Sequence, residues 1–322
     1  MSVDGDGEPN KAVIRIPIGD TIPAQVCVAA SPDCMVSVVI PTYNRPEILR
    51  RVLYTLFKQN DSNYEVLVSN DDSPDRYKST LAVCNDFIKL GMPLTHFYTG
   101  QFKRGVGWSV ETYPYNVGIR HAKGEIIILN SGDVMSVGNT IQQHRQKHQE
   151  GDRVYISTVH ALILDVQNKI DTYPWKENAA SLLFKGSCYK MFTGYGRSYT
   201  ADYEVEDAGS PYHFQMSIRG IHLHRIRGFD EDFYGGMPCA DDDLADRLRR
   251  SGLQFAFVSE ICAIHQHHMC VEGGPAEMNS KVGCGYTLYA QRRGLSVVRN
   301  KNHEWGQFPR DMTVLPVMSE AF

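Results

Sequence analysis

The sequence predicts an α/β protein with a mostly parallel central sheet flanked by helices. Three short apolar runs, at residues 36–40, 65–69 and 125–129, are rich in β-branched residues and are separated by stretches of helical character. Such runs are typical of parallel strands that are buried on both faces. Each run ends in a polar, mostly acidic loop, and ligands bind beyond the carboxyl ends of such strands. The three loops are therefore expected to share one crevice that suits a nucleotide-type ligand with a cation.

The remaining elements are predicted from periodicity and from helix or strand breakers along the chain. Helices are predicted after Pro46, after Asp75 and at residues 115–122, 141–148, 241–251 and, in part, 275–292. Further strands are predicted at residues 94–98, 154–159 and 254–258. Residues 165–220 mix aromatic, glycine and polar residues without a period, which predicts long loops over the sheet. We expect an extension over residues 1–34, one domain over 35–270 and a tail over 271–322.

Composition and charge exclude several classes of partner. The 322 residues are 42% apolar and 22% charged, with a formal net charge of −4, whereas a duplex nucleic-acid binder usually carries a basic excess. No secretory signal and no apolar stretch of membrane-spanning length is visible. Eight cysteines without a framework spacing are expected to be reduced thiols in a cytoplasmic protein.

Five motifs, in the right order, resemble those of family-two inverting glycosyltransferases with a GT-A fold. Residues 36–46 are similar to the opening strand with its Pro-Thr-Tyr-Asn sequence, and residues 70–75 to the acidic second-strand motif. Residues 116–125 resemble the Asn-x-Gly-Ile and Ala-x-Gly-Glu run, residues 228–231 the Gly-Phe-Asp-Glu motif, and residues 241–244 the end of Glu-Asp-x-Asp-Leu. The resemblance implies a GT-A domain with a donor half at 35–160 and an acceptor half at 161–270.

The resemblance implies that a nucleotide-sugar, and specifically a UDP-sugar, binds in the donor half. Asp71 matches the family's uracil-contacting aspartate, and a carboxylate can accept the imide N–H of uracil, which cytosine lacks. Residues 70–75 are also typical of a turn and a helix cap, which is the structural alternative. The expected nucleotide-binding residues are Pro41, Thr42, Tyr43, Asn44, Arg45, Asn70, Asp71, Asn116, Ser131 and Gly132.

The third loop matches the family's metal motif at one acidic position only. Asp133 corresponds to the last aspartate, whereas Asn130 and Gly132 stand where carboxylates are usual. The expected cofactor is Mn²⁺ or Mg²⁺. By analogy with related enzymes, His265, His267 or His268 could supply the missing ligand, and His265 and His267 are preferred because the alternation of a strand places them on the same side. The alternatives are plain loop histidines, or a structural zinc site with Cys262 and Cys270, although the spacing fits no common zinc motif.

Asp241 matches the family's catalytic base, which takes a proton from the acceptor hydroxyl as it attacks the anomeric carbon. Asp242 and Asp243 are rivals for that role, or support the start of the helix, where acids also suit the helix dipole. Asp230 and Glu231 are expected to shape the acceptor side. Ala240 replaces the usual glutamate of this motif.

The predicted function is therefore metal-assisted transfer of a sugar, with inversion, from a UDP-sugar to an acceptor hydroxyl. A sugar nucleotidyltransferase is the second enzyme class, but residues 41–46 lack the glycine-rich phosphate loop that it usually carries. A degenerate protein that only binds a nucleotide or glycan is the third possibility, because two acids are missing from the metal motif. The acceptor is not readable from the sequence, and the sequence is compatible with a homo-oligomer.

Overall fold

The computed structural model describes residues 30, 33–71, 78–99, 112–190, 214–235, 239–268 and 285–307. Nine strands in this part of the chain form one mixed sheet with the order β3-β2-β1-β4-β8-β6-β9-β5, and β7 pairs with β6. The strands are β1 (Val36–Thr42), β2 (Tyr64–Asn70), β3 (Leu94–Tyr98), β4 (Ile126–Asn130), β5 (Val134–Ser136), β6 (Val154–Leu162), β7 (Cys188–Lys190), β8 (Gln215–Arg219) and β9 (Phe255–His265). The predicted α/β class is confirmed.

Helices cover the sheet on its two faces. They are α1 (Pro46–Phe57), α2 (Lys78–Lys89), α3 (Thr112–His121), α4 (Thr140–Glu150), α5 (Leu164–Asn168), α6 (Gly220–Ile226), α7 (Ala240–Arg250) and α8 (residues 285–292). Three short 3₁₀ turns lie at Ile170–Thr172, Ala179–Leu182 and Glu231–Gly235. None of the helices in the described ranges combines the length and the hydropathy that a membrane span requires.

The strand β1 shows why the apolar runs form the centre of the sheet. All seven of its residues are buried, and it pairs in parallel with β2 on one side and β4 on the other. Val38 and Ile40 contribute to a core shared with α1 and α2, whereas Val39 contributes to a second core shared with α3, α6 and α7. The run is apolar except for Ser37, whose hydroxyl donates to Glu65, because both faces of the strand are covered.

The prediction of long loops over residues 165–220 is wrong at its carboxyl end. There β8 lies between β4 and β6, antiparallel to both, and α6 follows it directly. Periodicity gave no signal because Gln215 and Ser217 are polar although they are buried. Their polar atoms are satisfied by other buried side chains, and the Ser217 hydroxyl bonds to His144 Nδ1 at 2.8 Å.

The predicted helix at 275–292 is observed from residue 285, and residues 275–284 lie outside the described part of the chain. Val297 and Trp305, beyond this helix, pack into the second core. The predicted domain boundary at residue 270 stays a prediction, but these two side chains belong to the packed domain.

Three histidines are buried as neutral side chains: His96 in β3, and His144 and His148 in α4. Burial lowers the pKa of His96 to about 4, that of His144 to about 3 and that of His148 to about 4. Neither ring nitrogen of His96 has a hydrogen-bond partner within the described ranges. An unpaired buried imidazole destabilises the fold even at neutral pH.

These pKa values predict a stability that falls as the pH drops from 6.5 towards 4. In that window the unfolded chain binds protons that the folded chain excludes, so each histidine lowers the free energy of unfolding by up to about 1.4 kcal/mol per pH unit. We expect His96→Leu and His96→Gln to reduce this slope by about one proton each, in urea titrations between pH 7 and pH 5. The leucine variant should also be more stable than the glutamine variant at pH 7. An unchanged slope in both variants would contradict the assignment.

Candidate functional site

The loops after β1, β2 and β4 meet at the carboxyl end of the parallel strands, as the sequence predicts. The Asp71 amide donates to the Thr42 carbonyl at 2.8 Å, which joins the first and second loops. Gly132 packs so closely on the first loop that a Cβ there would lie 2.3 Å from the Pro41 carbonyl oxygen. The first and third loops are also joined by an ion pair of 3.2 Å between Arg45 Nη1 and Asp133 Oδ2.

The predicted nucleotide-binding residues of the first two loops lie at one edge of the sheet. Pro41, Thr42, Asn70 and Asp71 are buried, and Tyr43, Asn44 and Arg45 are half-buried in the turn that leads to α1. Asn44 adopts a left-handed backbone with φ 47°, which asparagine tolerates better than most residues. Asp71 Oδ1 accepts a hydrogen bond of 3.0 Å from Thr99 Oγ1, which fixes this oxygen of the carboxylate.

Asn116 is a correction to the sequence prediction. Its Nδ2 donates to the Phe229 carbonyl and to Glu231 Oε1, both at 2.9 Å, and its Oδ1 accepts from the Phe229 amide at 2.8 Å. Both hydrogens of the side-chain amide are donated within the protein, so this buried side chain links α3 to residues 229–231. It has no donor left for a nucleotide.

Asp133 lies beside two histidines from β9 and the residues after it. The short strand β5 pairs with the end of β9, with Val134 opposite His265, so the loop before β5 lies against that strand end. His268 Nε2 is 2.7 Å from Asp133 Oδ2, and His265 Nε2 is 3.6 Å from Asp133 Oδ1. One ligand atom from each of these three residues lies within 4.8 Å of the others. This is a spacing that one metal ion can bridge.

His268 takes the place that the sequence prediction gave to His267. The alternation that would point His265 and His267 the same way requires a strand, and β9 ends at His265. The next residue, Gln266, is buried, and its backbone N–H donates to the Asp133 carbonyl at 3.0 Å. The His267 amide donates to Gln167 Oε1 at 3.0 Å, and His267 is not part of the group around Asp133.

The zinc alternative receives no support from the placement of Cys262. Its thiol lies 3.6 Å from the Ser259 carbonyl, and the residue is not part of the group around Asp133. Cys270, the other cysteine of that alternative, lies outside the described part of the chain.

The electrostatics of the group keep the Asp133 carboxylate ionised. Burial raises the pKa of Asp133, but His265, His268 and Arg45 outweigh it and lower the value to about 2. The carboxylate is therefore ionised at neutral pH, although it is buried. Its Oδ1 has no hydrogen-bond partner within the described ranges. One carboxylate oxygen and two imidazole nitrogens suit Mn²⁺ better than Mg²⁺, which prefers oxygen ligands.

The rest of the third loop is fixed through its backbone. Ser131 is buried, its amide donates to the Phe214 carbonyl at 2.8 Å, and its own carbonyl accepts from Val134. The Phe214 ring packs against His265 with a centroid distance of 5.2 Å. Ser131 and Gly132 therefore hold the loop in place, and their predicted contact with a nucleotide stays a prediction.

The three acids at the start of α7 have different surroundings. Asp241 and Asp242 are half-buried, whereas Asp243 is buried and bonds to Arg247 at 2.6 Å and Arg299 at 3.3 Å. The residue before the helix, Cys239, has φ 87°, a left-handed conformation that is unusual for a side chain of this type. Asp243 is thus engaged in a buried ion-pair cluster, whereas Asp241 and Asp242 are partly open to solvent.

Asp230 and Glu231 bind the segment that follows α8. Asp230 is buried and lies 3.1 Å from Arg299 Nε. Glu231 Oε1 accepts from the Gly306 amide at 2.7 Å in addition to Asn116. Both carboxylates are turned inward, so the structure places them in support of residues 299–306 and not on a surface open to an acceptor. The sequence names Arg299 only as one of several basic residues that could reach a diphosphate, and its ion pairs with Asp230 and Asp243 give no sequence pattern.

Comparisons with known proteins agree with this architecture. The sequence profile described as glycosyl transferase family 2 matches residues 37–197, half of the chain. An uncharacterized glycosyltransferase, YfnE of Bacillus subtilis (strain 168), is 25% identical over 86% of this chain and 75% of its own length. Validoxylamine A glucosyltransferase of Streptomyces hygroscopicus subsp. limoneus is 23% identical over 83% of this chain, which spans only 60% of that protein.

Among solved structures, the mannosyltransferase PcManGT from Pyrobaculum calidifontis, in complex with GDP-Man and Mn²⁺, superposes with a TM-score of 0.50. The match has 15% sequence identity and covers 84% of this chain and 68% of that protein. At this identity the likeness concerns the fold, and it agrees with the GT-A arrangement of strands described above. The profile match, the relatives and the fold together show that the chain belongs to glycosyl transferase family 2 and is a glycosyltransferase with a GT-A fold.

Proposed function

We propose that this glycosyltransferase moves a sugar from a UDP-sugar to an acceptor hydroxyl by a metal-assisted single displacement with inversion. The observation that carries the proposal is the group of Asp133, His265 and His268, with a buried, ionised carboxylate whose Oδ1 has no hydrogen-bond partner within the described ranges. The group lies where the three strand-end loops meet, next to the residues proposed to bind the nucleotide.

The three residues around Asp133 would hold Mn²⁺ through one oxygen and two nitrogens. When bound, the ion would stabilise negative charge on the departing diphosphate. Arg45 Nη1 lies within 3.2 Å of both Asp133 Oδ2 and His268 Nε2, so a positive charge already faces this carboxylate. The guanidinium has several donors and suits a phosphate oxygen as well as a carboxylate, so we assign Arg45 to the diphosphate side.

Asp71 would recognise the base of the donor. Its carboxylate accepts a hydrogen bond from Thr99, and its backbone amide donates to the Thr42 carbonyl of β1, at the ends of two central strands. A fixed acceptor of this kind suits the N–H of uracil, and it would also accept from the N–H groups of guanine. UDP is the proposed nucleotide because Asp71 occupies the position of the uracil-contacting aspartate in the family resemblance.

Asp241 would act as the general base. It stands in the first turn of α7, is half-buried, and is followed by Asp243, which anchors this turn through Arg247 and Arg299. A base on such an anchored turn can take the acceptor proton while the sugar leaves its diphosphate on the opposite side, and this geometry inverts the anomeric configuration. The first test of the whole proposal is a screen of nucleotide-sugar hydrolysis by the purified protein with Mn²⁺.

The metal group predicts different outcomes for two neighbouring histidines. We expect His268→Ala to weaken Mn²⁺ affinity by at least about tenfold, because it removes a ligand. Asp133→Ala should abolish Mn²⁺-dependent binding of UDP. His267→Ala is the matched control and should keep the affinity of the unmodified protein in titrations followed by electron paramagnetic resonance. Loss of affinity in His267→Ala with none in His268→Ala would reverse the assignment.

The base-recognition proposal predicts a change of nucleotide preference. We expect Asp71→Ala to weaken UDP binding by about 10- to 100-fold, the usual range for loss of a hydrogen bond to a charged group. CDP binds weakly to both proteins if the uracil N–H is what Asp71 recognises. Calorimetric titrations with UDP, CDP and GDP in the presence of Mn²⁺ measure this preference. Tighter binding of GDP than of UDP to the unmodified protein would overturn the choice of uracil.

The assignment of the base predicts a loss of turnover without a loss of donor binding. Asp241→Asn should lower kcat by about 10²- to 10⁴-fold while the affinity for UDP stays unchanged. Asp242→Asn is the matched control on the same helical turn and should retain activity. Transfer or hydrolysis rates with the donor identified in the screen decide between them, and full activity of Asp241→Asn would refute the assignment.

A further inference from the structure

The third loop is shaped by the side chain of Asn130, the residue that stands where the related enzymes usually have an acid. Asn130 is fully buried at the end of β4. Its Nδ2 donates to the Ser131 carbonyl at 2.8 Å and to the Val134 carbonyl at 3.0 Å. These two carbonyls lie on either side of Asp133 in the chain. The Asn130 side-chain amide therefore bridges the two ends of the loop that contains Asp133.

Gln215 holds this amide in its orientation. It lies opposite Asn130 in the pairing of β4 with β8, and its Nε2 donates to Asn130 Oδ1 at 2.8 Å. Its Oε1 accepts from Ser157 Oγ at 2.7 Å. Because Gln215 Oε1 accepts from Ser157, the Nε2 group of Gln215 is the one that faces Asn130. Because this Nε2 group donates to Asn130 Oδ1, the Nδ2 group of Asn130 is the one that faces the loop carbonyls.

The hydrogen-bonded chain continues into the core and ends on α4. His144 contacts Ser157 Oγ at 3.0 Å through Nε2 and Ser217 Oγ at 2.8 Å through Nδ1. His148 Nε2 lies 2.9 Å from the same Ser217 hydroxyl. All of these groups are buried, and a satisfied buried network of this kind rigidifies the segment at its end.

We propose that Asn130 and Gln215 are positioning residues that hold Asp133 in the geometry for metal binding, and that the neutral amide at residue 130 is required for this role. The inference rests on the proposed metal function of Asp133. A carboxylate at residue 130 could still accept from Gln215, but its second oxygen would face the Ser131 and Val134 carbonyls without a hydrogen between them. Buried oxygens left facing each other in this way are strongly unfavourable.

The proposal contradicts a simple expectation from the family resemblance. If Asn130 were a lost metal ligand, Asn130→Asp would restore an acid and tighten metal binding. The structure leads to the opposite result, because the new carboxylate would release the loop that carries Asp133. In Gln215→Glu the side chain keeps its shape and the oxygen that accepts from Ser157. The variant loses the N–H group that donates to Asn130 Oδ1.

The test is the Mn²⁺ affinity of the purified protein without nucleotide, followed by electron paramagnetic resonance. We expect Asn130→Asp and Gln215→Glu each to weaken the affinity by about tenfold, the usual size of an effect on residues that orient ligands. The control is Ser217→Ala, a buried member of the same network that does not contact the loop. It should lower the melting temperature but keep the Mn²⁺ affinity within about twofold of that of the unmodified protein. This control therefore separates a loss of stability from a loss of the position of Asp133.

The outcomes separate this inference from the proposed function. If the unmodified protein binds Mn²⁺ and Asp133→Ala does not, the metal function stands, and the two isosteric variants then test the positioning role alone. The inference is overturned if Asn130→Asp binds Mn²⁺, per folded molecule, as tightly as the unmodified protein or more tightly. It is also overturned if the Mn²⁺ affinities of Gln215→Glu and Ser217→Ala are equal. If the unmodified protein binds no Mn²⁺, the proposed function and the inference fall together.

Discussion

The close approach of Gly132 to the Pro41 carbonyl is the constraint on which the site depends. No residue with a Cβ fits there, because that atom would lie 2.3 Å from the carbonyl oxygen. The contact presses the loop after β4 onto the loop after β1 and brings Arg45 within 3.2 Å of Asp133. The missing acid at residue 132 is therefore a packing requirement in this protein. Beside Asp133 stand the imidazoles of His265 and His268.

The acidic motifs that give the sequence its resemblance divide into two groups in the structure. Asp133, Asp71 and Asp241 lie at strand ends or at a helix start, and they are the acids for which a contact with the substrates is proposed. Asp243, Asp230 and Glu231 are turned inward and bind basic or backbone groups of residues 299–306. Desolvated carboxylates of this second kind are stable only because their partners are present in fixed positions. One motif can thus hold an acid that is proposed to react and a structural acid two residues apart.

The sequence was sufficient to predict the strands that are buried on both faces and the crevice at their ends. Short apolar runs bounded by polar loops are typical of a parallel sheet that is covered on both faces, and of few other structures. It was also sufficient to predict that Asp133 and His265 lie close together, since both adjoin predicted strands. It could not choose His268 over His267, because the direction of a side chain after a strand depends on the local backbone and not on a period. β8 was missed for a related reason. Gln215 and Ser217 look like loop residues until the partners that satisfy them, Asn130, Ser157 and His144, are known.

The contacts of residues 297–307 determine where this domain can be cut. A chain that stops at residue 270 keeps every sequence motif of the family resemblance, yet it loses Arg299, Trp305 and the backbone around Gly306. Asp230 would then lose Arg299 Nε, its ion-pair partner at 3.1 Å, and Trp305 would leave a hole in the second core. Breaking one buried ion pair costs about 3–5 kcal/mol, a large part of the roughly 5–15 kcal/mol that stabilises a typical domain. A fragment that keeps these contacts therefore has to include residues 297–307.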